Sequence, residues 1–516
     1  MKPRSRRRTV RVVSVSIERE VKLLAPDEFE LPDMSGLVSG VSGGPPVLLE
    51  LDAVYFDSAD LALARAGVTL RHRTGEPGPA WTLKLPARTD GARITRTEFT
   101  FDGDLDTVPA PARDLVRAYL RSRRLRRVAR LHTVRTCVSL IDEDGNRAAE
   151  LVDDRVSTFE GRRQTGEFHE VELELAGTHG GGRLQRAAVK RLSAAGCRAE
   201  VPTPKLVRAL GDRASAPSDV AVPRLGAEPS IGELVSYVFA SSVDALVRHD
   251  VGLRLGQDPE DLHQFRVAAR TLRSDIRTFA SVLDGEWATV LRGELDWLGS
   301  EVGRARDSDV LGERLRDRAA GLADIDAPGL DVLLAHLGEQ ADDAHRTMLG
   351  ALRCHRYDSL LDALTEGTHA PAFASDQPSR SAENARPFVH DAARMQFRRL
   401  AHAVNAVSDP PTDAELHRVR ILAKRSRYAM DAARPVFGHP AAEHASAVAR
   451  LQTVLGDLHD AVVAEQWLRE AAAMHPGCAV VAGQLIAAER TEQARLRDRW
   501  NDTWLDADAK AVRSWL

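Results

Sequence analysis

Leu262-His263-Gln264-Phe265-Arg266 recurs as Leu416-His417-Arg418-Val419-Arg420, 154 residues later. In the same register Arg270 and Arg273 fall on Lys424 and Arg427. Further on, Leu298, Asp307, Val310 and Leu315 map onto Leu451, Asp460, Val463 and Leu468 at an offset of 153. A register held this long with one residue lost requires two units built to one plan, so this half of the chain cannot be one irregular core. Apolar residues within each copy follow the 3.6-residue period of helices. The expectation is an all-α domain, residues 230–512, of two pseudo-symmetric helical bundles at 230–365 and 387–512. The polar stretch Glu366–Pro387 joins them, and they pack about a pseudo-twofold axis.

The first two hundred residues obey a different period. Val15–Leu23, Val68–Arg73, Trp81–Leu85, Thr95–Phe101, Thr133–Leu140 and Phe168–Leu175 alternate apolar and polar residues between Gly/Pro turns such as Ser42–Pro46 and Glu76–Pro79. Short antiparallel strands in a barrel or sandwich read this way, with one helix at Arg183–Ala195. From Gly211 to Ser230 the composition turns to Ala, Ser, Pro and Gly, which puts a linker at 213–229 behind a first domain at 10–212. At 516 residues the chain exceeds what one core organises in any case.

What the strands carry on their polar faces is charge. Glu18, Glu20 and Lys22 share a face, as do Arg71 and Arg73, Thr82 and Lys84, Arg96 and Glu98, and Glu170, Glu172 and Glu174. A half-exposed sheet explains any one of these strands. Acids grouped at both ends of the domain with bases between favour a sheet closed with those faces inward. The product is a water-filled tunnel whose bases hold phosphate oxygens and whose carboxylates hold Mg2+ or Mn2+. Base usage points the same way, since seven lysines stand against 64 arginines. A lysine in such a chain marks a need for a compact ammonium instead of a planar fork.

In the first helical repeat Arg266, Arg270, Arg273 and Arg277 fall within about 80° of arc beside His263, opposite Phe265, Leu272, Ile276 and Phe279. His417, Arg420, Lys424 and Arg427 repeat the stripe, with Asp431 in place of the last arginine. Asp275 points to the other side, so the stripe is answered either by acids of neighbouring helices, such as Asp307, Asp309 and Asp460, or by a polyanion. The net charge of −4 excludes a whole-chain polycation and confines any anion site to a patch. No aromatic ring interleaves the stripes except Tyr428 at one side, which argues against single-stranded nucleic acid. Cys137, Cys197, Cys354 and Cys478 form no Cys-x-x-Cys pair, which argues against a thiolate zinc site or a disulfide framework. The basic start looks like a twin-arginine signal, but Val12–Ile17 is short and broken by serines. With no apolar run of about eighteen residues anywhere, the expected location is the cytoplasm.

Glu18-x-Glu20-x-Lys22, followed in order by Leu70-Arg71-His72-Arg73, Thr82-Leu83-Lys84, Arg96-Thr97-Glu98, Arg135, Asp153, Glu170-Val171-Glu172 and Lys205-Leu206, resembles the CYTH family, the triphosphate tunnel metalloenzymes, over about residues 10–212. Thr100 stands where related sequences often place an acid, and Pro204 where a serine is usual. His263-x-x-Arg266-x-x-x-Arg270-x-x-Arg273, with Arg306-Asp307-x-Asp309-Val310 and Leu455-Gly456-Asp457-x-His459-Asp460, resembles the CHAD domain, the conserved-histidine α-helical module, over about 228–510.

These resemblances imply a multidomain α+β chain: an eight-stranded antiparallel β-barrel tunnel with flanking helices, then the all-α domain. They imply metal-dependent hydrolysis of a triphosphate, inorganic triphosphate favoured, and binding of inorganic polyphosphate. Lys22, Arg71, Arg73, Lys84, Arg96, Arg135 and Lys205 would grip phosphates. Glu18, Glu20, Asp153, Glu170 and Glu172 would hold one or two Mg2+ or Mn2+ ions, with Glu18, Glu20 and Lys22 at the catalytic centre. His263, Arg266, Arg270, Arg273, Arg277, Arg306, His417, Arg420, Lys424, Arg427 and His459 would hold polyphosphate, which extends the expected location to polyphosphate granules. No cofactor beyond the metal, no membrane and no nucleic-acid partner is expected. The alternatives are a non-catalytic polyphosphate scaffold, hydrolysis of nucleoside or thiamine triphosphate, and adenylate cyclisation.

Overall fold

The computed structural model describes residues 12–90, 93–176, 182–199, 203–375 and 378–516; the basic start of the chain lies outside them. The chain forms two compact units, one ending at Asp219 and the other beginning at Val220.

With three short strands of two or three residues beside them, eight strands close the barrel of the first unit: β1 (Val12–Leu24), β2 (Val47–Asp57), β3 (Thr69–Thr74), β4 (Trp81–Lys84), β5 (Arg93–Phe101), β6 (Arg126–Ile141), β7 (Arg147–Glu160) and β8 (Arg163–Leu175). All pairings are antiparallel, in the order β1-β8-β7-β6-β2-β3-β4-β5, and β5 pairs back with β1 to close the ring. Closure satisfies both edges of every strand over the paired stretches. Alternation then decides which side each residue faces. Val21, Leu23, Leu140, Leu151, Val171 and Leu173 point outward and are covered by Leu184, Ala188 and Leu192 of helix α1 (Gly182–Ala194). The charged residues between them point inward, so this barrel keeps much of its apolar core outside its wall. At one end the inside is apolar: Ala53, Tyr55, Leu131 and Val156 pack on Leu206 and Leu210 of a short helix, α2 (Lys205–Leu210), which plugs the tunnel.

Periodicity missed β2 and β7, for identifiable reasons. In β2, Tyr55, Phe56 and Asp57 are buried in succession, and in β7 the whole of Leu151–Asp154 is buried. Over stretches buried on both faces the period of two is lost.

The second unit contains α3 (Ile231–Leu255), α4 (Pro259–Thr278), α5 (Gly285–Ala319), α6 (Ala327–Leu352), α7 (His355–His369), α8 (Ala385–Asn405), α9 (Asp413–Phe437), α10 (His439–Met474) and α11 (Ala479–Asp508). The duplication is visible in the caps. Ser230 caps α3 and Asn384 caps α8, while Asp258 caps α4 and Thr412 caps α9, each pair 154 residues apart. Ile231 N–H donates to the Glu383 carbonyl at 2.8 Å, and the equivalent Ala385 N–H donates to the Pro229 carbonyl at 2.9 Å. These paired bonds are what a pseudo-twofold axis between the repeats requires. Helices α4 and α9 pack against each other, with Phe265, Leu272, Ile276 and Phe279 of α4 fully buried. Among the described residues no helix is long and apolar enough to cross a membrane.

Candidate functional site

The tunnel encloses a cavity of about 170 Å3 into which all seven phosphate-gripping candidates project, Lys22, Arg71, Arg73, Lys84, Arg96, Arg135 and Lys205. Cross-strand register sets the pairs. Lys22 lies opposite Glu172 and Glu18 opposite Arg96. Lys84 Nζ donates to both oxygens of Glu18, at 2.7 and 2.9 Å, and meets Glu98 at 2.9 Å. Arg96 bridges Glu18 at 2.7 Å and Glu20 at 2.9 Å. Lys205, the first residue of α2, reaches Asp154 at 3.0 Å, Glu170 at 2.5 Å and Glu172 at 2.8 Å. Lys22 is paired with the same two glutamates.

The carboxylates fall into two groups of three, Glu18–Glu20–Glu174 and Asp154–Glu170–Glu172, each with oxygens within 4.8 Å of one another. The second group is well neutralised: Lys205, Lys22 and Arg135 outweigh the cost of burial and hold Glu172 well below the usual carboxylate range. In the first group burial pushes Glu18 up, but Lys84 and Arg96 hold it down at about 2. Glu20 is pushed up by burial, and Glu174 is pushed up to about 7 by burial and by Glu18 and Glu172. One corner of the cavity thus carries more negative charge than its bases answer. Each group also leaves one buried oxygen without a hydrogen-bond partner, Glu20 Oε2 and Glu170 Oε2. Hard oxygen donors with spare lone pairs suit Mg2+ or Mn2+.

The opposite corner has the reverse imbalance. Burial and Arg71 bring the Arg73 guanidinium down to about 10, and both Arg71 Nε and Arg73 Nε are buried without an acceptor. Arg73 is paired with Glu76, while Arg71 is hydrogen-bonded to the Tyr55 phenol, which together with the charge of Glu98 outweighs the cost of its burial.

Asp153 is not in the cavity. It points outward and is paired with His169 Nε2, while His169 Nδ1 lies 3.1 Å from the Pro26 carbonyl. Its neighbour Asp154 takes the inward position, bound by Arg135 through two bonds of 2.8 and 2.7 Å. Two adjacent acids on one strand must face opposite ways, and here it is Asp154, not Asp153, that meets Arg135 and Lys205. Breaking a buried pair like Arg135–Asp154 costs about 3–5 kcal/mol. Glu174, Tyr55 and Glu98 also line the cavity and were not among the candidates. Glu174 was legible, since it shares the inward face with Glu170 and Glu172. Of the two departures, Thr100 is hydrogen-bonded to Ser14 at 2.8 Å, and Pro204 lines the cavity as the residue that starts α2.

In the helical unit the two stripes face each other. Lys424 of α9 feels the charges of Arg266 and Arg270 of α4 as well as that of its own neighbour Arg420, and Arg420 feels Arg270. Burial lowers His263, whose surroundings include Arg306, Arg270 and Arg266; burial likewise lowers His459, whose ring lies 5.1 Å from that of His417. Arg273 and Arg277 lie farther along α4 beside Arg292 of α5, a base the repeat motif did not flag. Arg270 Nε, Arg292 Nε and Arg420 Nε are buried without acceptors. Neighbouring acids answer part of this charge. Asp307 takes Arg266 at 2.7 Å, Asp296 takes Arg273 and Asp431 takes Arg427 at 3.4 Å, whereas Asp309 is 3.0 Å from His345 instead.

The CYTH domain family matches residues 16–199, and the CHAD domain family matches residues 238–469. An uncharacterized protein of Mycobacterium tuberculosis, found in strains CDC 1551 and H37Rv, is 32% identical over 487 residues, 88% of either chain. The chain is a CYTH–CHAD protein. Among solved structures it is similar to the CHAD domain from the plant Ricinus communis, at 26% identity over 57% of this chain and 97% of that one, TM-score 0.47. Another is a Hippeastrum putative adenylyl cyclase described as having a dominant triphosphatase activity, at 16% identity over 37% of this chain and 94% of that one, TM-score 0.23. Membership makes the CYTH unit a triphosphate tunnel of the metal-dependent kind and links the CHAD unit to polyphosphate.

Proposed function

We propose that the CYTH tunnel hydrolyses inorganic triphosphate with Mg2+ or Mn2+ and that the CHAD unit binds inorganic polyphosphate where its stripes converge, with residues 10–212 and 230–512 as the two working parts. The observation that carries the first half is the double imbalance within one small tunnel, with acid in excess at Glu20 and Glu174 beside Glu18, and base in excess at Arg73 beside Arg71. A metal–triphosphate complex answers both, whereas a bare phosphate grip leaves the acid corner repelling its own ligand. Glu18, Glu20 and Glu174 would hold an ion, with Asp154, Glu170 and Glu172 as a second set.

A divalent ion bound there supplies charge neutralisation and Lewis-acid polarisation of phosphoryl oxygens. The protein's own part is positional and electrostatic. Arg71, Arg73 and Arg135 receive phosphate oxygens, while Lys22, Lys84, Arg96 and Lys205 exchange part of their carboxylate contacts for phosphate. Helix α2 shuts one end against water. Inorganic triphosphate is favoured over a nucleotide because the lining offers one aromatic ring, Tyr55, which is buried in the cluster with Leu206 and leaves no free face for a base. Phosphate release from inorganic triphosphate, ATP and thiamine triphosphate, each with Mg2+ and Mn2+, tests this. The highest kcat/KM is expected with inorganic triphosphate; a preference for either organic substrate, or no release from any, overturns the reading.

For the CHAD unit, Lys424 supplies a pH signature. Burial, then Arg420, Arg270 and Arg266, bring its ammonium down to about 8, with Asp460 pulling the other way. Above that pH the free unit has lost a proton that the polyphosphate-bound unit regains, so affinity falls as pH rises. From pH 7 to pH 9 the loss is about tenfold if binding restores an ordinary lysine pKa. Calorimetric titration with polyphosphate at both pH values should show it, and Lys424→Arg should remove it.

A further inference from the structure

Helices α8 and α9 leave between them a groove of about 830 Å3 that, His417 at its margin apart, no role described above uses. Its floor is Met395 of α8 with Ile421 and Leu422 of α9, and Met395 and Ile421 are 48% and 39% exposed. Arginines stand on both rims: Arg394, Arg398 and Arg399 on α8, Arg418 and Arg425 on α9. Arg394 bonds Asp391 at 2.9 Å, and the other four reach no carboxylate among the described residues. At 100° per residue the α9 side of the groove is centred about 140° around the helix from the stripe of Arg420, Lys424 and Arg427, with His417 at the shared margin.

The duplication provides an internal control. Positions 154 residues earlier, on α3 and α4, carry Ala240, Asp244 and Ala245 in place of the α8 arginines, and Gln264 and Thr271 in place of the α9 pair. Met395 and Leu422 correspond to Ser241 and Ala268. The same pair of helices therefore folds in this chain with one arginine on that flank, Arg248 at the position of His402 and paired with Asp244, and with a smaller floor. Five arginines around a methionine-bearing floor are an addition to the second repeat, not a requirement of the bundle.

We propose that this groove docks an acidic amphipathic helix of a partner protein. The choice follows from what each class of anion would leave unsatisfied. Polyphosphate would use the arginines but leave Met395 and Ile421 wet, because a fully hydrated chain has nothing apolar to lay on them. A nucleotide finds no phenyl, phenol or indole shelf, the only rings of the lining being the imidazoles of His402 and His417, and it too would leave the apolar floor wet. An amphipathic helix with acids on its flanks answers floor and rims together, and methionine adapts its shape to the side chains it receives. The lining runs from Asp391 to His402 along α8, twelve residues or about 18 Å, room for three turns of a guest helix.

The test uses the full chain and a fluorescent 18-residue peptide with Leu at heptad a and d positions and Glu on the flanks. A scrambled peptide of equal composition and anionic phosphatidylglycerol vesicles serve as the other arms. The helical peptide is expected to bind at least about tenfold more tightly than the scrambled one. The variant Met395→Ser, Arg398→Asp, Arg399→Ala, Arg418→Gln, Arg425→Thr should lose a similar factor. It converts five groove positions to the chain's own first-repeat residues, and its fold is checked by thermal melting; Met395→Glu alone is the fallback if that variant melts early. Equal binding of both peptides, tighter binding to vesicles than to the helical peptide, an unaffected well-folded variant, or no binding at all each overturns the proposal.

Discussion

Glu20→Gln is expected to lower kcat/KM for triphosphate hydrolysis by about a hundredfold or more, the size of effect that follows removal of one preorganised electrostatic partner from a reacting centre. The substitution keeps the volume and removes the charge. Glu20 is 1% exposed, and its Oε2 has no hydrogen-bond partner, so the lost oxygen is one the folded chain does not itself use. The wall should survive, because Arg96 keeps its 2.7 Å bond to Glu18 and Glu18 keeps Lys84. Two readouts separate ion binding from general damage. Manganese titration followed by electron paramagnetic resonance should show weakened ion binding, while the thermal midpoint should stay level or rise, since a buried carboxylate in an acid-rich corner has been made neutral. Wild-type rates with wild-type manganese affinity would remove Glu20 from the ion site and shift attention to Asp154, Glu170 and Glu172.

The inward charges of this tunnel were legible because alternation is local. Lys22, Arg71, Lys84 and Arg96 each announced their face within a few residues of sequence. Three features were not legible, and each has a non-local cause. The two carboxylate groups are assembled by cross-strand register: Glu174 lies opposite Glu20 although 154 residues separate them in sequence, and no local pattern reports such a pairing. Asp153 and Asp154 are chemically equal neighbours, and only the barrel wall assigns one to Arg135 and Lys205 and the other to His169. The plug α2 is six residues long, too short for a helical period, so Lys205 was expected as a phosphate ligand with no account of what carries it. In the helical half, repetition exposed α4 and α9 because their sequences match. It concealed the α8–α9 groove, where the two repeats differ.

Reversing charge at both stripe heads, Arg266→Glu with Arg420→Glu, should weaken binding of long-chain polyphosphate by about a hundredfold at low salt while leaving hydrolysis of inorganic triphosphate near wild type. These arginines are equivalents, 154 residues apart, and both stand within the fields of Arg270 and Lys424. Each reversal removes one phosphate contact and adds one repulsion. The folding cost should be small for Arg266, whose partner Asp307 is largely exposed, and a thermal melt checks Arg420. Salt gives the diagnostic. A polyanion held by several arginines sheds condensed counterions, so log affinity falls linearly with log salt, and losing two contacts should reduce that slope by about two. The same series tests ligand class. With only Tyr428 near the stripes, single-stranded DNA of matched charge lacks the stacking that contributes about 1–3 kcal/mol per base elsewhere, and polyphosphate should outcompete it at every salt concentration. Tighter binding of DNA across the series would reassign the CHAD unit to nucleic acid. Parallel loss of hydrolysis in a well-folded double variant would mean that the two activities share one site.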